Sequence, residues 1–471
     1  MNAIIDKLKS LGFQTISEDW YARVDGWDSW YKGNVADFHN FSVWNGQKKI
    51  NCKRYSLGMA KKVCEDWANL LMNEKVDITL EGKKEQEFID EVFAKNDFEV
   101  NMNELQEKCA ARGTYAVIPH VDGLAVDESG NTNASAAEIT MDFISGGIYP
   151  LSWRGRNITE CAFATELFYD GNKYVYLQIH VLRENRYVIE SRMYENTSGT
   201  LKDVPLSTVP NYANVPDSYT AGERPQFVIG RYNIANNIED NNPMGISVYA
   251  NAIDVLKGVD TAYDSYVNEF VLGKKRIMIK PAATKNEDGD CVYDPNDVTF
   301  YVLPEDISDG DIIKPIDMSL RTQEHTQGLQ DQLNMLSSKC GFGDKHYKFD
   351  NGNVSTATQI ISENSEMFRT IKKHEIVLEA VLVDICRLLL YMGNVYMNRD
   401  LDENVEISVD FDDSIIEDKT ADFEKDMRLL NAGIMNDWEF RAKWMNEDPE
   451  TAKASLPSME DMNTEKQDEV E

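Results

Sequence analysis

The chain has 471 residues, of which 42% are hydrophobic and 10% aromatic, so it is long enough for two to four domains with sizeable cores. Its formal net charge of -33 at pH 7 disfavours tight binding to duplex nucleic acid, because the average surface repels phosphate. The seven cysteines form no C-x-x-C pair and indicate free thiols in a reducing compartment. No apolar stretch is free of charges over a membrane-spanning length, which predicts a soluble protein.

The first 75 residues have a helical pattern and are rich in aromatic side chains. Within them lies a basic patch that contains no acidic residue. Its members are Lys48, Lys49, Lys53, Arg54, Lys61 and Lys62. We expect this patch to be a solvated helix face or an intersubunit salt-bridge surface, with direct nucleic-acid contact as the alternative.

From residue 76 to 235 the apolar period shifts toward two, and residues 116–121 and 173–181 are predicted strands. Turns containing Gly and Asn separate the strands, which favours an α+β domain built on antiparallel pairs. His120 and His180 stand alone on these strands and are interpreted as core or surface histidines rather than metal ligands.

The second half of the chain predicts a fixed order of elements. A helix over 244–272 ends at Gly273, a small β insertion occupies 274–318, and a second helix covers 319–339. A loop with Gly at both ends spans 341–353, and a helix about 65 Å long then runs over 355–398. We expect this long helix to span a large assembly rather than to pack inside one domain, because its apolar stripe needs a cover. The stripe consists of Ile361, Phe368, Ile371, Leu378, Val381, Leu382, Ile385 and Leu389.

An acidic strand over 405–411 provides a candidate enzyme site. Glu406, Asp410 and Asp412 share one face of it by two-residue alternation and could bind Mg²⁺ or Ca²⁺ in a nuclease. Acidic runs are more often solvated faces. The sequence contains no G-x-x-x-x-G-K-[ST], H-E-x-x-H or G-x-S-x-G motif. We therefore expect a protein that is not an enzyme, with no catalytic residue, no metal site and no cofactor.

Three segments in this order resemble a known family. Residues 242–247 with 251–256 look like the entry to a first stem helix, residues 356–365 look like the start of a long wing helix, and Ala432 to Asn436 is similar to an "AGIMS" crown motif with Asn in place of Ser. Together they resemble the portal proteins of tailed bacteriophages, particularly those of long-noncontractile-tail phages infecting Gram-positive hosts. The resemblance covers residues 1–455.

The resemblance implies an α+β, mainly helical portal fold with a wing, a two-helix stem, a small β-containing clip, a long wing helix and a helical crown. The implied segments are the wing at 1–240, the first stem helix at 241–273, the clip at 274–318, the second stem helix at 319–340, the tunnel loop at 341–354, the long wing helix and returning strand at 355–411, the crown at 412–456 and a disordered tail at 457–471.

The same resemblance implies a ring of usually twelve subunits at one capsid vertex, through which the genome is packaged, retained and ejected. Its implied partners are other copies of itself, double-stranded DNA, the large terminase subunit, head-completion or adaptor proteins, and the major capsid and scaffolding proteins, with no membrane. ATP hydrolysis would come from a partner. The protein would belong to the virion and assemble in the bacterial cytoplasm. A capsid or tail-adaptor component is an alternative, which would lack the predicted order of helix, clip, helix, loop and long helix.

Three sets of site residues follow from the resemblance. The tunnel loop would face DNA through Gly343, Asp344, Lys345, His346, Lys348, Asn351 and Gly352. The clip would dock partners through Lys274, Lys275, Arg276, Glu287, Asp288 and Asp290. The stem would present to the lumen the acidic residues Asp254, Asp260, Asp264 and Glu269. Lys345 and Lys348 are the candidate phosphate contacts, with bonds to acidic neighbours as the alternative.

Overall fold

The computed structural model describes residues 2–44, 46–72, 76–123, 125–126, 132–133, 137–273, 276–279, 300–302, 313–316, 319–348, 357–411, 419–445 and 448–455. It consists of two compact units, one formed by Met1–Asn351 with Arg369–Phe411 and the other by Gly352–Phe368 with Asp412–Glu471. The mixture of helices and mainly antiparallel strands confirms the predicted α+β class.

The N-terminal part of the first unit is helical except for one hairpin. Its elements are α1 (Asn2–Ser10), α2 (Glu18–Tyr31), α3 (Ala36–His39), β1 (Asn40–Trp44), β2 (Lys49–Lys53) and α4 (Met59–Leu71). Helix α2 begins where the Ser17 side chain accepts a hydrogen bond from the backbone N–H of Trp20, which satisfies one free donor of the first turn. The prediction that residues 1–75 are helical throughout is wrong for residues 40–53, because β1 and β2 pair antiparallel there.

Antiparallel strands and two helices make up the middle of the first unit. Their elements are β3 (Val76–Leu80), α5 (Lys83–Lys95), α6 (Phe98–Arg112), β4 (Tyr115–Asp122), β5 (Ala125–Val126), β6 (Thr132–Asn133), β7 (Glu138–Ile144), β8 (Ile148–Arg154), β9 (Asn157–Tyr169), β10 (Asn172–Arg183), β11 (Arg186–Thr197), β12 (Thr200–Val204), β13 (Ser218–Gly222) and β14 (Val228–Gly230). The larger sheet has the order β12-β11-β10-β9-β8, with β13 beside β11, and the smaller one has the order β14-β4-β7. The predicted strands at 116–121 and 173–181 are confirmed as β4 and β10.

The elements between residues 253 and 411 follow the predicted order. They are α7 (Ile253–Leu272), β15 (Arg276–Ile279), β16 (Phe300–Val302), β17 (Ile313–Ile316), α8 (Thr322–Lys339), α9 (Ala357–Met397) and β18 (Ile407–Phe411). Strand β18 pairs antiparallel with β3. The predicted helix over 244–272 begins only at Ile253, because the preceding backbone bonds elsewhere: Gly245 N–H donates to Thr114 Oγ1 at 2.8 Å and Val248 N–H to the Ala110 carbonyl at 2.9 Å.

The apolar stripe of α9 is covered by the first unit itself over residues 371–389. Its buried members there are Ile371, Leu378, Val381, Leu382, Ile385 and Leu389. Further along, the Tyr391 hydroxyl accepts from Glu223 N–H, and the Tyr396 hydroxyl donates to the Ala221 carbonyl. The long helix is confirmed, but the expectation that this stripe needs a larger assembly to cover it is wrong, since the chain's own sheets and helices bury it.

The second unit contains α10 (Lys419–Asn431), α11 (Asp437–Trp444) and α12 (Pro449–Ala454). Gly433 turns the chain between the first two of these helices at a φ of 69°. Asp426 fixes their packing, since its carboxylate accepts from Lys443 Nζ at 2.7 Å and from the Trp444 indole N–H at 3.1 Å. Residues 412–418 and the predicted disordered tail at 457–471 lie outside the described residues.

Candidate functional site

Helices α7 and α8 lie side by side in close contact. A Cβ added to Gly258 of α7 would lie 2.3 Å from Oε1 of Gln332 on α8, so a larger residue at this position would require the Gln332 side chain to move. At the end of the pair where α7 ends and α8 begins, large apolar side chains remain exposed instead of packing into the chain. These are Phe270, Val271, Leu272 and Leu320, with exposed fractions of 42% to 58%. The pair is therefore closely packed around Gly258. Its other end, where α7 ends and α8 begins, is hereafter its lower end, and this lower end is apolar and uncovered.

Glu269 joins the lower ends of the two segments. Its carboxylate accepts from Arg321 Nε at 3.1 Å and from Arg321 Nη2 at 2.9 Å, and His325 Nε2 lies 3.4 Å from Oε2. The hydrogen bonds from the Arg321 guanidinium, followed by the bond from the Arg321 backbone N–H, hold the pKa of Glu269 at about 2. This predicted lumen acid is ionised and paired within its own chain.

The other three predicted lumen acids differ in exposure. Asp260 is only 3% exposed, and its carboxylate accepts from Leu57 N–H at 2.8 Å and from His39 Nε2 at 3.0 Å. Asp264 accepts from the backbone N–H of Tyr55 at 2.9 Å. The prediction that Asp260 faces a lumen is wrong, because burial and these hydrogen bonds fix it inside the chain. The Asp254 side chain is 93% exposed and bonds the neighbouring Lys257.

The first half of the predicted DNA-facing loop is packed against α4. Phe342 is 2% exposed, and its ring stacks on Trp67 with centroids 4.6 Å apart and on His346 with centroids 4.5 Å apart. Gly343 is buried and its carbonyl accepts from the Ser337 hydroxyl, while His346 Nε2 lies 3.4 Å from Asp66 Oδ2. An aromatic stack therefore fixes the first residues of the predicted tunnel loop.

In the described part of this loop, residues 341–348, the exposed residues are Asp344, Lys345, His346 and Lys348. They remain accessible although Phe342 anchors the backbone beneath them. The predicted DNA-facing residues Asn351 and Gly352 lie outside the described residues, as does the start of the long helix near Ser355. The described part of the loop is therefore a fixed turn with charged side chains on its outer side.

The β insertion between α7 and α8 forms a three-stranded sheet of order β16-β15-β17. Strand β15 is parallel to β16 and antiparallel to β17, which confirms that the predicted insertion contains β structure. Of the predicted partner-docking residues, Arg276 is the first residue of β15. The others lie outside the described residues, namely Lys274, Lys275, Glu287, Asp288 and Asp290.

The acidic strand β18 does not bring its carboxylates together with further metal ligands. Its register with β3 places Asp410 opposite Asp77, and Glu406 is exposed, while Asp412 lies outside the described residues. Across the described ranges, no group of three or more His, Cys, Asp or Glu residues is arranged to hold a metal ion. The nuclease alternative gains no support from this geometry.

Across the described ranges, none of the helices combines the length and apolarity needed to cross a membrane.

Sequence reasoning missed the hairpin of β1 and β2, hereafter the hairpin arm, residues 40–53. Its outer part exposes Val43 at 47%, Trp44 at 63% and Ile50 at 40%. The alternation of polar and apolar residues over 40–43 and 49–53, on either side of Gly46, was a signal that could have found it. The basic patch thus begins on a β hairpin, and the prediction of a helix face is wrong for Lys49 and Lys53.

Comparison with known proteins gives one family match. The family model described as "Phage portal protein, SPP1 Gp6-like" matches residues 13–471. No curated protein matches the chain. Among solved structures, the neck of an empty GTA particle computed with C6 symmetry is similar, with a TM-score of 0.39 at 10% identity over 87% of this chain and 96% of that chain. The neck of a native GTA particle computed with C12 symmetry gives a TM-score of 0.38 at 10% identity over 88% and 98% of the respective chains.

Proposed function

Because this chain belongs to the SPP1 Gp6-like phage portal protein family, we propose that twelve copies of it close into a ring around a channel at one vertex of a phage capsid. The double-stranded genome is packaged, retained and released through this channel. The ring is part of the virion, assembles in the cytoplasm of the bacterial host, and serves a phage with a long noncontractile tail that infects a Gram-positive bacterium.

One observation about the molecule carries the proposed ring, namely the uncovered apolar lower end of the α7–α8 pair. Phe270 and Leu272 are 42% and 58% exposed at the end of α7, and Leu320 is 46% exposed just before α8. Exposed apolar side chains clustered at one end of a helix pair are typical of a surface that another protein covers. In a closed ring, each copy covers this surface on the next.

The net charge of the chain supports a channel whose wall does not bind DNA tightly. A net charge of -33 minimises attraction to the phosphate backbone, which would otherwise bind basic walls through counterion release. Asp254 is the predicted lumen acid with the greatest exposure, while Asp260 and Glu269 serve contacts within the chain. Contacts with passing DNA come from the loop after α8, through Asp344, Lys345, His346 and Lys348.

The proposed division of labour follows the predicted segments. The wing comprises 1–240 and 355–411, the stem 241–273 and 319–340, and the crown 412–456. The clip, 274–318, docks the large terminase subunit during packaging and head-completion or adaptor proteins afterwards. The major capsid and scaffolding proteins contact the wing.

Electron microscopy of the purified chain tests the ring directly. We expect annular particles with a central hole and twelve-fold symmetry in negative stain, together with a matching mass in solution. Phe270→Ser should raise the protein concentration needed for assembly, while Phe168→Ser, at a side chain 74% exposed on β9, should leave it unchanged. A chain that stays monomeric at high concentration contradicts the proposal.

A further inference from the structure

The hairpin arm has one apolar face that the rest of the described chain covers only at its base. The register of β1 and β2 places Phe41 opposite Cys52 and Val43 opposite Ile50. Because alternate residues of a strand point to the same side, these two pairs lie on one face. The inner pair is half-buried, whereas Val43 and Ile50 are 47% and 40% exposed.

The base of the hairpin arm is fixed to α7 by buried hydrogen bonds. His39 accepts from Val35 N–H through Nδ1 at 2.9 Å, so its Nε2 carries the proton that it donates to Asp260. Leu57 N–H also donates to Asp260, at 2.8 Å. These contacts flank the hairpin on both sides in the sequence, so the arm leaves α7 at a defined position.

Arg54 stiffens the same base. Its Nη1 donates to the Phe38 carbonyl at 2.7 Å, and its guanidinium lies 4.2 Å from the centroid of the Phe38 ring and 4.9 Å from that of Phe41. A two-stranded hairpin is marginally stable in water unless a further layer packs on it. At the base of the arm, Arg54 supplies such a layer for Phe41. Within the described residues, no further layer packs on the outer half of the arm.

The charge of the hairpin arm is opposite to that of the chain as a whole. Lys49 and Lys53 are exposed on β2, and no acidic residue occurs between Lys48 and Lys62, in a protein of net charge -33. Copies of such a protein repel one another unless a local cationic surface meets carboxylates. The arm offers both an apolar face and that cationic surface.

We infer that the hairpin arm docks on a second copy of this chain, burying its Val43 and Ile50 face against that copy. By the same register Trp44, Lys49 and Lys53 lie on the opposite face, and this side of the arm places the lysines beside carboxylates of the same copy at the rim of the contact. This inference rests on the proposed ring, in which an acidic neighbouring copy is always present. A nucleic-acid partner is disfavoured, because phosphate contacts would engage the lysines but would leave the aliphatic pair of Val43 and Ile50 in water.

The double variant Val43→Thr and Ile50→Thr tests the apolar face, since threonine keeps the β-branched shape that favours a strand while adding a hydroxyl. We expect the concentration at half-assembly, measured by mass photometry, to rise at least about tenfold. Val100→Thr, at a valine 70% exposed on α6, is the matched control and should assemble as the unmodified chain does. Assembly of the double variant at the unmodified concentration overturns the inference while leaving the ring intact.

The charged side is tested by Lys49→Glu with Lys53→Glu, against Lys83→Glu at a lysine whose side chain is 91% exposed on α5. The arm variant should impair assembly and the control should not. A photo-crosslinking amino acid in place of Trp44 should give covalent dimers upon irradiation, which reports docking even where a substitution weakens the hairpin. Crosslinks within a single chain only, or loss of DNA binding with normal assembly in the lysine variants, overturn the inference. An unmodified chain that never assembles overturns the ring as well.

Discussion

The ring of Phe342 lies stacked on the indole of Trp67, with centroids 4.6 Å apart and planes inclined by 23°. Trp67 belongs to α4 and Phe342 to the turn after α8, so the contact joins segments far apart in the sequence. The indole N–H of Trp67 also donates to the Cys340 carbonyl at 3.1 Å. The aromatic contact and this hydrogen bond together determine where the backbone leaves α8 for the loop.

Phe342→Ala should therefore destabilise the chain through loss of the stack and through the cavity left behind. Phe342 is 2% exposed, and removing a buried phenyl ring typically costs about 3–5 kcal/mol. Denaturant unfolding followed by tryptophan fluorescence measures the loss. Phe168→Ala, at a ring 74% exposed, should cost less than about 0.5 kcal/mol. An equal cost for both variants would show that the stack contributes nothing beyond surface packing.

The spacing of apolar residues was sufficient to predict the helices and strands in which that spacing is regular. The seven- and four-residue spacing of apolar residues predicted α9, and the alternation in β4 and β10 predicted those strands. The hairpin arm was missed because aromatic residues of α2 and lysines of α4 surround it, and both favour a helical interpretation. Phe342 was assigned to the tunnel loop because the segment 341–353 has no period and has Gly at both ends. The positive φ values of Gly341 and Gly343, 88° and 83°, instead shape a packed turn around Phe342.

The acidic residues of α7 show what the sequence could not predict. Asp254, Asp260 and Asp264 have the same side chain on one helix, yet they are respectively exposed, buried and half-buried. The difference comes from residues 55–57, whose backbone N–H groups donate to Asp260 and Asp264 from about 200 positions away. Only the folded chain brings those donors to the helix.

Asp260→Ala should weaken the attachment of the hairpin arm to α7. It leaves Leu57 N–H and His39 Nε2–H buried without an acceptor, and an unsatisfied buried donor costs about 1–3 kcal/mol. We expect an increase in hydrogen exchange over residues 39–57 together with a loss of roughly 3 kcal/mol in the free energy of unfolding. Asp254→Ala, six positions earlier with a side chain 93% exposed, should change neither quantity. Unchanged exchange in the Asp260 variant would contradict the role of this carboxylate as an anchor.

Glu269→Gln should remove a pH-dependent part of stability. The pKa of Glu269 is about 2 in the folded chain against an ordinary value of 4.5, chiefly because the Arg321 guanidinium bonds the ionised form. The unfolded chain therefore binds this proton first, and the stabilisation is complete above pH 4.5 and is lost as the pH falls toward 2. The melting-temperature difference between the unmodified chain and the variant should be constant from pH 5 to 7 and should shrink below pH 4.5.

Glu87→Gln provides the matched control for that experiment, because the Glu87 side chain is 69% exposed on α5 and forms an ion pair with Lys83 at 3.7 Å. Its melting temperature should differ little from that of the unmodified chain at every pH. If the difference for Glu269→Gln stays constant down to pH 3, the Arg321 pairing does not lower the pKa of Glu269 in solution.

His180 also makes the stability of the chain depend on pH, through a histidine that the folded chain keeps neutral. It is completely buried and makes T-shaped contacts with the rings of Phe163 and Phe227, and neither ring nitrogen has a hydrogen-bond partner in the described part of the chain. Burial lowers the pKa of His180 to about 3 from an ordinary 6.5, so the ring is neutral in the folded chain. Between these values the unfolded chain binds a proton that the folded chain does not, and the free energy of unfolding falls by about 1.4 kcal/mol for each pH unit below 6.5.

His180→Leu should abolish this contribution, since leucine takes up no proton. The difference in free energy of unfolding between His180→Leu and the unmodified chain should grow in favour of the variant as the pH falls from 7 to 4. His120→Gln serves as the control, because His120 is partly exposed and bonds Asp142 at 3.0 Å, so its substitution should not reproduce that slope. A pH-independent difference for His180→Leu would mean that water reaches the imidazole in the folded chain and that burial does not keep it neutral.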